Sequence, residues 1–183
     1  VNTTQQLTTL INKIIAYETS TDNGGWRSSI AFFADNTDEA GSFELSNDRL
    51  MALQPNTVSN KRMYYFEQSE VSPVRPPANK TWYEYDAAKA NLKITKIISD
   101  GNSITNYNGH GNWKVWAAPT LLDISDIDKL KNTNKPTVLL EWTCLAGQFQ
   151  NPVDGTAVMD EKFLLHPTGG AVLVWAPSGW DVI

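Results

Sequence analysis

Two residue types in this sequence are suited to nucleophilic catalysis, a thiol and an imidazole. Cys144 is the only cysteine of the chain, and His110 is one of its two histidines. An ordinary thiol is only slightly ionised at neutral pH, so a thiol nucleophile needs a nearby base. An imidazole can take the thiol proton and later protonate a leaving amine. These residues therefore predict a nucleophile, Cys144, with His110 as its general acid/base.

Both residues directly follow short apolar runs that have the pattern of buried strands. The motif at residues 108–111 follows a predicted strand at residues 103–107, and residues 143–147 follow another at 137–142. Ligands of open α/β sheets bind beyond the carboxyl ends of the strands. The ends of neighbouring strands lie about 5 Å apart, or about twice that with one strand between them. We therefore expect His110 and Cys144 to face one substrate.

The glycines on both sides of His110 allow the backbone to turn sharply and to approach a substrate closely. The backbone N–H groups of Gly111 and Cys144 are candidate donors to the oxyanion of a tetrahedral intermediate. Each residue also has an ordinary explanation, because lone cysteines are commonly buried apolar residues and histidines in glycine turns commonly lie on the surface. His166, before Pro167, is interpreted as a helix cap.

The remaining pattern alternates between strands and helices. Short apolar runs bounded by turn residues predict strands, apolar residues at helical spacing predict helices, and Thr3 with Gln6 matches a capping box. The predicted strands are residues 29–34, 62–66, 103–107, 137–142 and 171–175, and the predicted helices are residues 7–17, 43–53, 83–98, 126–131 and 156–165. The proline-rich residues 72–77 are predicted to be a loop. The alternation predicts an α/β fold with a mostly parallel sheet covered by helices on both faces.

Length, charge and composition exclude several classes of protein. A chain of 183 residues fits one compact domain. Its net charge is −5 and its basic residues are scattered, which argues against a nucleic-acid partner. No apolar run approaches the roughly 20 residues of a membrane-spanning helix. No cluster of histidine, cysteine and carboxylate residues has the spacing of a metal site.

At these motifs the sequence resembles the gingipain-type peptidases, peptidase family C25, which are relatives of the caspases. The matching stretches keep the order of the family along the chain: residues 13–18, 33–36, 106–111, 116–117, 130–136, 143–149, 161 and 168–172. The resemblance implies a caspase-like three-layer sandwich and a His–Cys dyad that hydrolyses peptide bonds. On the family's motif, His110 is the general acid/base, Cys144 the nucleophile and Gly111 an oxyanion donor.

The resemblance also assigns residues that bind the substrate. Gingipains that cleave after arginine have an aspartate before the phenylalanine that matches Phe43, and here that residue is Ser42. A preference for arginine is therefore not implied. Ser178 and Trp180 follow the last predicted strand, where the family builds a wall of its S1 pocket.

An acidic group near the catalytic histidine of the family corresponds to Asp35 or Asn36, and the resemblance does not choose between them. Asp38, Glu39 or Asp181 could supply charge to the substrate pocket from nearby loops. The family resemblance further implies a protein or peptide substrate, a secreted or cell-surface location and no required cofactor, and it leaves structural calcium open. The family's first strand and its C-terminal immunoglobulin-like domain have no counterpart, so residues 1–183 are expected to be a fragment of a catalytic domain.

Two alternative functions stay open at this point. Some family members transfer the acyl group of a sorting signal to an amine, and a transpeptidase of this kind would use the same dyad. A non-catalytic module could instead bind carbohydrate through exposed tryptophans, for which Trp26, Trp82, Trp113 and Trp116 are the candidates.

Overall fold

A computed structural model describes residues 1–67, 80–150 and 157–180 of the chain. The strands in chain order are β1 (Ser29–Ala34), β2 (Ser59–Tyr65), β3 (Tyr83–Glu84), β4 (Ile104–Asn108), β5 (Val115–Trp116), β6 (Leu122–Asp123), β7 (Thr137–Trp142) and β8 (Ala171–Trp175). Six of them form one sheet in the order β3-β2-β1-β4-β7-β8, and every neighbouring pair in it is parallel. Strands β5 and β6 form a separate antiparallel pair.

The described residues form four α-helices, α1 (Thr4–Thr19), α2 (Phe43–Ala52), α3 (Ala87–Asp100) and α4 (Met159–Leu165), of which α1 precedes β1 and the other three connect strands. In the same part of the chain, Gly25–Ser28 and Ile124–Lys129 form short 3₁₀ segments. The fold is therefore α/β with a parallel sheet, as the alternation of patterns predicts.

The two faces of the sheet bury different residues, because side chains alternate along a strand. On one face, Phe33 and Leu139 pack with α3 and α4 in the larger core. On the other face, Phe32 packs against α2 in a smaller core. Helix α2 lies over β1 and β4. Among the described residues α2 is the only helix on that face. At the β8 edge of the same face, Trp175 is 67% exposed.

Several predicted boundaries are confirmed. Strands β1, β7 and β8 begin and end where the apolar runs do. The capping box at the start of α1 also forms: Thr3 Oγ1 accepts a hydrogen bond from Gln6 N, and Gln6 Oε1 accepts one from Thr3 N at 3.0 Å. These local signals predict structure well because each depends on residues close in sequence.

Other boundaries differ from the prediction. Helix α3 begins at Ala87 instead of residue 83, because Tyr83–Glu84 pairs with β2 and the Asp86 side chain caps the helix by accepting a hydrogen bond from Lys89 N. The helix predicted at residues 126–131 is a 3₁₀ helix at Ile124–Lys129. The β5–β6 pair was not predicted, and the loop prediction for residues 72–77 lies outside the described residues. In the part of the chain that the structure describes, no helix has the length and apolar character needed to span a bilayer.

Candidate active site

The pairing of β4 with β7 determines where the two predicted catalytic residues lie. Asn108 pairs with Trp142 in the parallel register of these neighbouring strands. His110 stands two residues beyond Asn108, and Cys144 stands two residues beyond Trp142. Both residues therefore leave the sheet at its carboxyl edge on adjacent strands, the edge at which open α/β sheets bind ligands.

The backbone of His110 is held by hydrogen bonds from three directions. Its carbonyl oxygen accepts hydrogen bonds from Tyr107 Oη at 2.6 Å and from Ala117 N at 2.8 Å. Its N–H donates to Asp35 Oδ2 at 3.3 Å. The preceding residue, Gly109, donates from its N–H to Trp142 O at 3.1 Å. These contacts hold the histidine loop against both neighbouring strands, so the backbone position from which the imidazole projects is fixed.

The glycines around His110 are required by close packing. A Cβ added at Gly109, whose φ is +157°, would lie 2.3 Å from Asp35 Cβ. A Cβ added at Gly111 would lie 2.5 Å from Thr143 Oγ1. Both distances are shorter than van der Waals contact, so a larger residue at either position would push the backbone away. The Gly111 contact joins the histidine loop to the residue that precedes Cys144.

The imidazole of His110 has a carboxylate partner. Its Nε2 lies 2.7 Å from Asp38 Oδ2, and Phe43 at the start of α2 packs edge-on against the ring at 5.3 Å between centroids. The second carboxylate oxygen of Asp38 accepts a hydrogen bond from Ala40 N at 2.8 Å. A two-way backbone hydrogen-bond pair between Asp38 and Gly41 closes this loop. The carboxylate is thereby oriented toward the ring, which remains about half exposed.

The acidic residue at the ring is thus Asp38, whereas Asp35 and Asn36 were the predicted candidates. Asp35 contacts the backbone N–H of His110, and burial raises the pKa of its carboxyl while hydrogen bonds from Asn36 N and His110 N oppose that shift. The Asn36 side chain donates to Thr37 O and accepts from Glu67 N. Asp35 therefore supports the histidine backbone, and the Asn36 side chain joins two loops.

Cys144 lies half-buried in a loop that is tied to the end of β8. The next residue, Leu145, has a left-handed backbone with φ +61°, and its N–H donates to Gly179 O at 3.0 Å. The N–H of Gly147 donates to Pro177 O at 3.0 Å. A Cβ at Gly147 would lie 2.9 Å from Ala176 O. The cysteine loop and the loop after β8 therefore form one packed unit.

The predicted substrate-binding residues lie in two places. Ser178 and Trp180 lie in the loop after β8, where the Trp180 side chain is 77% exposed. Ser42 is the N-cap residue of α2, directly before the Phe43 that touches the His110 ring. Asp181 lies outside the described residues.

The four tryptophans named as candidates for a binding module are not all exposed. Trp26 and Trp116 are buried, which corrects the prediction that they are exposed. The Trp26 indole donates to Asp22, and Trp116 stacks on Tyr107 at 4.3 Å between ring centroids. Trp82 and Trp113 are half-buried. Two of these four tryptophans, Trp26 and Trp116, therefore pack the fold.

Within the described ranges, no group of three or more histidine, cysteine, aspartate and glutamate side chains is arranged to hold a metal ion. The groups at the strand edge are the thiol of Cys144, the imidazole of His110 and the carboxylate of Asp38. Such a set can move protons and attack an electrophilic carbon.

Comparisons with known proteins identify the family and the fold. The family model for peptidase family C25 matches residues 1–182. The structure is similar to the crystal structure of the Arg-specific cysteine proteinase gingipain R, with a TM-score of 0.72, 18% sequence identity and coverage of 99% of this chain and 39% of that one. The complex of the Porphyromonas gingivalis RgpB pro- and mature domains gives the same TM-score and identity, covering 99% of this chain and 40% of that one.

A third solved structure, described as that of a protease, matches with a TM-score of 0.63 and 19% identity over 95% of this chain and 34% of that one. No curated protein sequence matches the chain significantly. The chain spans about two fifths of the length of the gingipain chains. The likeness to gingipain identifies the fold as caspase-like. Because the family match extends over nearly the whole sequence, the chain belongs to peptidase family C25.

Proposed function

We propose that this chain carries the catalytic site of a cysteine peptidase, with Cys144 as nucleophile and His110 as general acid/base. The observation that carries the proposal is the pairing of β4 with β7, which brings both residues to one strand edge in a member of peptidase family C25. The half-exposed ring of His110 and the half-buried Cys144 leave this edge open to a polypeptide substrate.

The contact between His110 and Asp38 supports a proposed role for each ring nitrogen. With Nε2–H donating to the Asp38 carboxylate, Nδ1 carries the lone pair that can accept the thiol proton. The imidazolium that then forms is stabilised by the adjacent carboxylate. Asp38 therefore acts as a positioning residue that holds the tautomer and orientation of the base.

The reaction then proceeds in two halves. The Cys144 thiolate attacks the carbonyl carbon of the scissile bond, and the C–N bond breaks as the His110 imidazolium protonates the departing amine. Water next attacks the thioester with His110 as base, which releases the carboxylic acid and restores the thiol. The backbone N–H groups of Gly111 and Cys144 are proposed to donate to the oxyanion in both halves.

The substrate is proposed to be a protein or peptide, with its side chains placed between Ser42 and the Ser178–Trp180 loop. Ser42 provides no negative charge at the start of α2, so a strict requirement for arginine is not expected. Of the three acidic residues considered for the substrate pocket, Asp38 is engaged with His110, so Glu39 and Asp181 are the remaining candidates. We expect the protein to act outside the cell, on the basis of family resemblance.

Cleavage of a diverse peptide library, read by mass spectrometry, tests the proposal. Cys144→Ala and His110→Ala should each lower turnover by about a thousand-fold or more, with unchanged circular dichroism. His166→Gln is the matched histidine control, because His166 lies at the end of α4 and accepts a hydrogen bond from Gly169 N. Full activity of Cys144→Ala would refute the assignment. Added amines that appear in the products would identify transfer to an amine in place of hydrolysis.

A further inference from the structure

Two buried carboxyl groups near the candidate site have no role in the mechanism above. Glu141 on β7 is 1% exposed and Asp160 on α4 is 0% exposed. Each of the two carboxyl groups shifts the pKa of the other, so they are neighbours in the fold. Among the described residues, no N–H or hydroxyl group donates to Glu141 Oε2 or to either oxygen of Asp160. Two neighbouring carboxylates buried without such donors would be very costly, so the pair is expected to hold a carboxylic proton.

The surroundings favour the protonated form of both carboxyl groups. Burial, followed by the charge of Asp160, raises the pKa of Glu141 well above its ordinary value. Burial also raises the pKa of Asp160, but its interaction with Glu141 opposes that shift. Because burial raises the pKa of both groups, the pair keeps a carboxylic proton to a higher pH than either group would in water.

The pair is connected to the histidine loop through Trp116. The indole Nε1–H of Trp116 donates to Glu141 Oε1. The ring of Trp116 is stacked between Tyr107 at 4.3 Å and Phe163 at 6.5 Å. Tyr107 Oη in turn donates to the carbonyl oxygen of His110. Trp116 thus transmits the position of Glu141 to the backbone of His110.

The backbone contacts reinforce this connection. Gly111 forms an antiparallel bridge with Trp116. The N–H of Met159, the residue before Asp160, donates to Trp113 O at 2.9 Å. Glu141 itself stands three residues before Cys144 on the same strand and turn. One buried pair therefore contacts elements that carry both candidate catalytic residues.

We infer that Glu141 and Asp160 share a single proton, and that this pair acts through Trp116 to position the loops of His110 and Cys144. Both are positioning residues, since neither reaches a substrate. The effect on turnover rests on the proposed function, whereas the sharing of the proton does not.

Sharing a proton makes the fold sensitive to pH in one direction. An unfolded glutamate releases its proton near pH 4.3, whereas the folded protein keeps it to a higher pH. The folded state then binds more protons than the unfolded state, so stability falls as the pH rises between these two values. The titratable groups that face the pair include Tyr107 on β4. The pKa of Tyr107 is raised mainly by burial and further by the charges of Asp35 and Glu141.

Urea unfolding from pH 5 to pH 9 tests the shared proton directly. Glu141→Gln is the matched variant, because its amide oxygen can accept from Trp116 Nε1 and its amide N–H₂ can donate to Asp160 at any pH. We expect the unfolding constant of the wild type to rise relative to that of the variant by up to about tenfold per pH unit. Parallel unfolding curves, or a variant less stable than the wild type at pH 8, would overturn the inference.

Turnover measurements test the positioning role. Glu141→Leu removes the acceptor of Trp116 and should lower kcat by about tenfold or more with little change in KM, since loop misplacement affects chemistry more than binding. Glu141→Gln should recover most of that loss. Ile98→Ala, a core change on α3, controls for lost stability alone. Unchanged kcat in Glu141→Leu, or no recovery in Glu141→Gln, would contradict the role. If the wild type proved inactive, the unfolding curves would still decide the shared proton.

Discussion

Gly111 and Thr143 lie in close contact where the histidine loop meets the cysteine loop: a Cβ at residue 111 would be 2.5 Å from Thr143 Oγ1. Thr143 is buried and directly precedes Cys144. A side chain at residue 111 would therefore meet the Thr143 hydroxyl on one side and the backbone carbonyl of Val115 at 3.0 Å on the other, so this contact limits the spacing between the two loops.

Gly111→Ala should therefore damage catalysis more than folding. A displacement of about 1 Å in an active site can lower the rate by about a hundred-fold, whereas overpacking typically costs about 1–3 kcal/mol of stability. We expect kcat/KM for a cleaved peptide to fall by about a hundred-fold. Gly25→Ala is the matched control, because no atom lies within 4 Å of a Cβ at that position. Equal activity of the two variants would show that the spacing is not critical.

Asp38→Asn tests the role assigned to the carboxylate at the imidazole. Loss of the charge removes the group that holds Nε2–H and stabilises the imidazolium, so kcat should fall by about a hundred-fold or more. KM should change little, because Asp38 is engaged with His110 and does not serve as the charge of a substrate pocket. Glu39→Gln is the neighbouring acidic control. A larger effect on KM than on kcat for Asp38→Asn would instead assign it to substrate binding.

Lys13→Met tests a buried contact that joins α1 to α4. The Lys13 ammonium donates to Leu164 O at 2.7 Å and to Ala171 O at 3.3 Å. Its replacement leaves these carbonyl groups unsatisfied and should cost about 1–3 kcal/mol of unfolding free energy near neutral pH. Chemical denaturation measures this loss, and a variant as stable as the wild type would contradict it.

Burial also lowers the pKa of Lys13 to about 8, from an ordinary value of 10.5. The unfolded chain then binds more protons than the folded chain between these two values, so this residue makes stability rise with pH across that window. The difference in unfolding free energy, wild type minus Lys13→Met, should increase from pH 8 to pH 10. A constant difference would indicate that the lysine titrates normally in the fold.

The parts of this fold that depend on local sequence could be predicted well. Strands β1, β7 and β8 are apolar runs with clear turn residues at their ends, and the capping box of α1 is a local motif. Strand β3 could not be found in this way, because its two residues are defined only by pairing with β2. The β5–β6 pair is similarly too short to show an alternating pattern.

The residues of the candidate site likewise divide into those that local sequence reveals and those that only the tertiary structure reveals. His110 and Cys144 could be selected because they are rare residue types at predicted strand ends. Asp38 could not be assigned to the imidazole, because sequence does not reveal that β1 lies beside β4 or how the loop from Asp38 to Gly41 turns back. The available signal for the buried pair was Glu141, a charged residue inside an otherwise apolar strand, but its partner on α4 becomes evident only in three dimensions.

The central claim is that His110 activates Cys144, and the pH dependence of covalent labelling tests it without any need for a cleavable substrate. The rate at which a peptide electrophile forms an adduct on Cys144, read by mass spectrometry, is measured for the wild type and His110→Ala from pH 5 to pH 9. At pH 7 we expect the variant to react about a hundred-fold more slowly, with the difference shrinking toward pH 8.5, where thiols ionise unaided. Equal labelling rates at pH 7 would contradict the account.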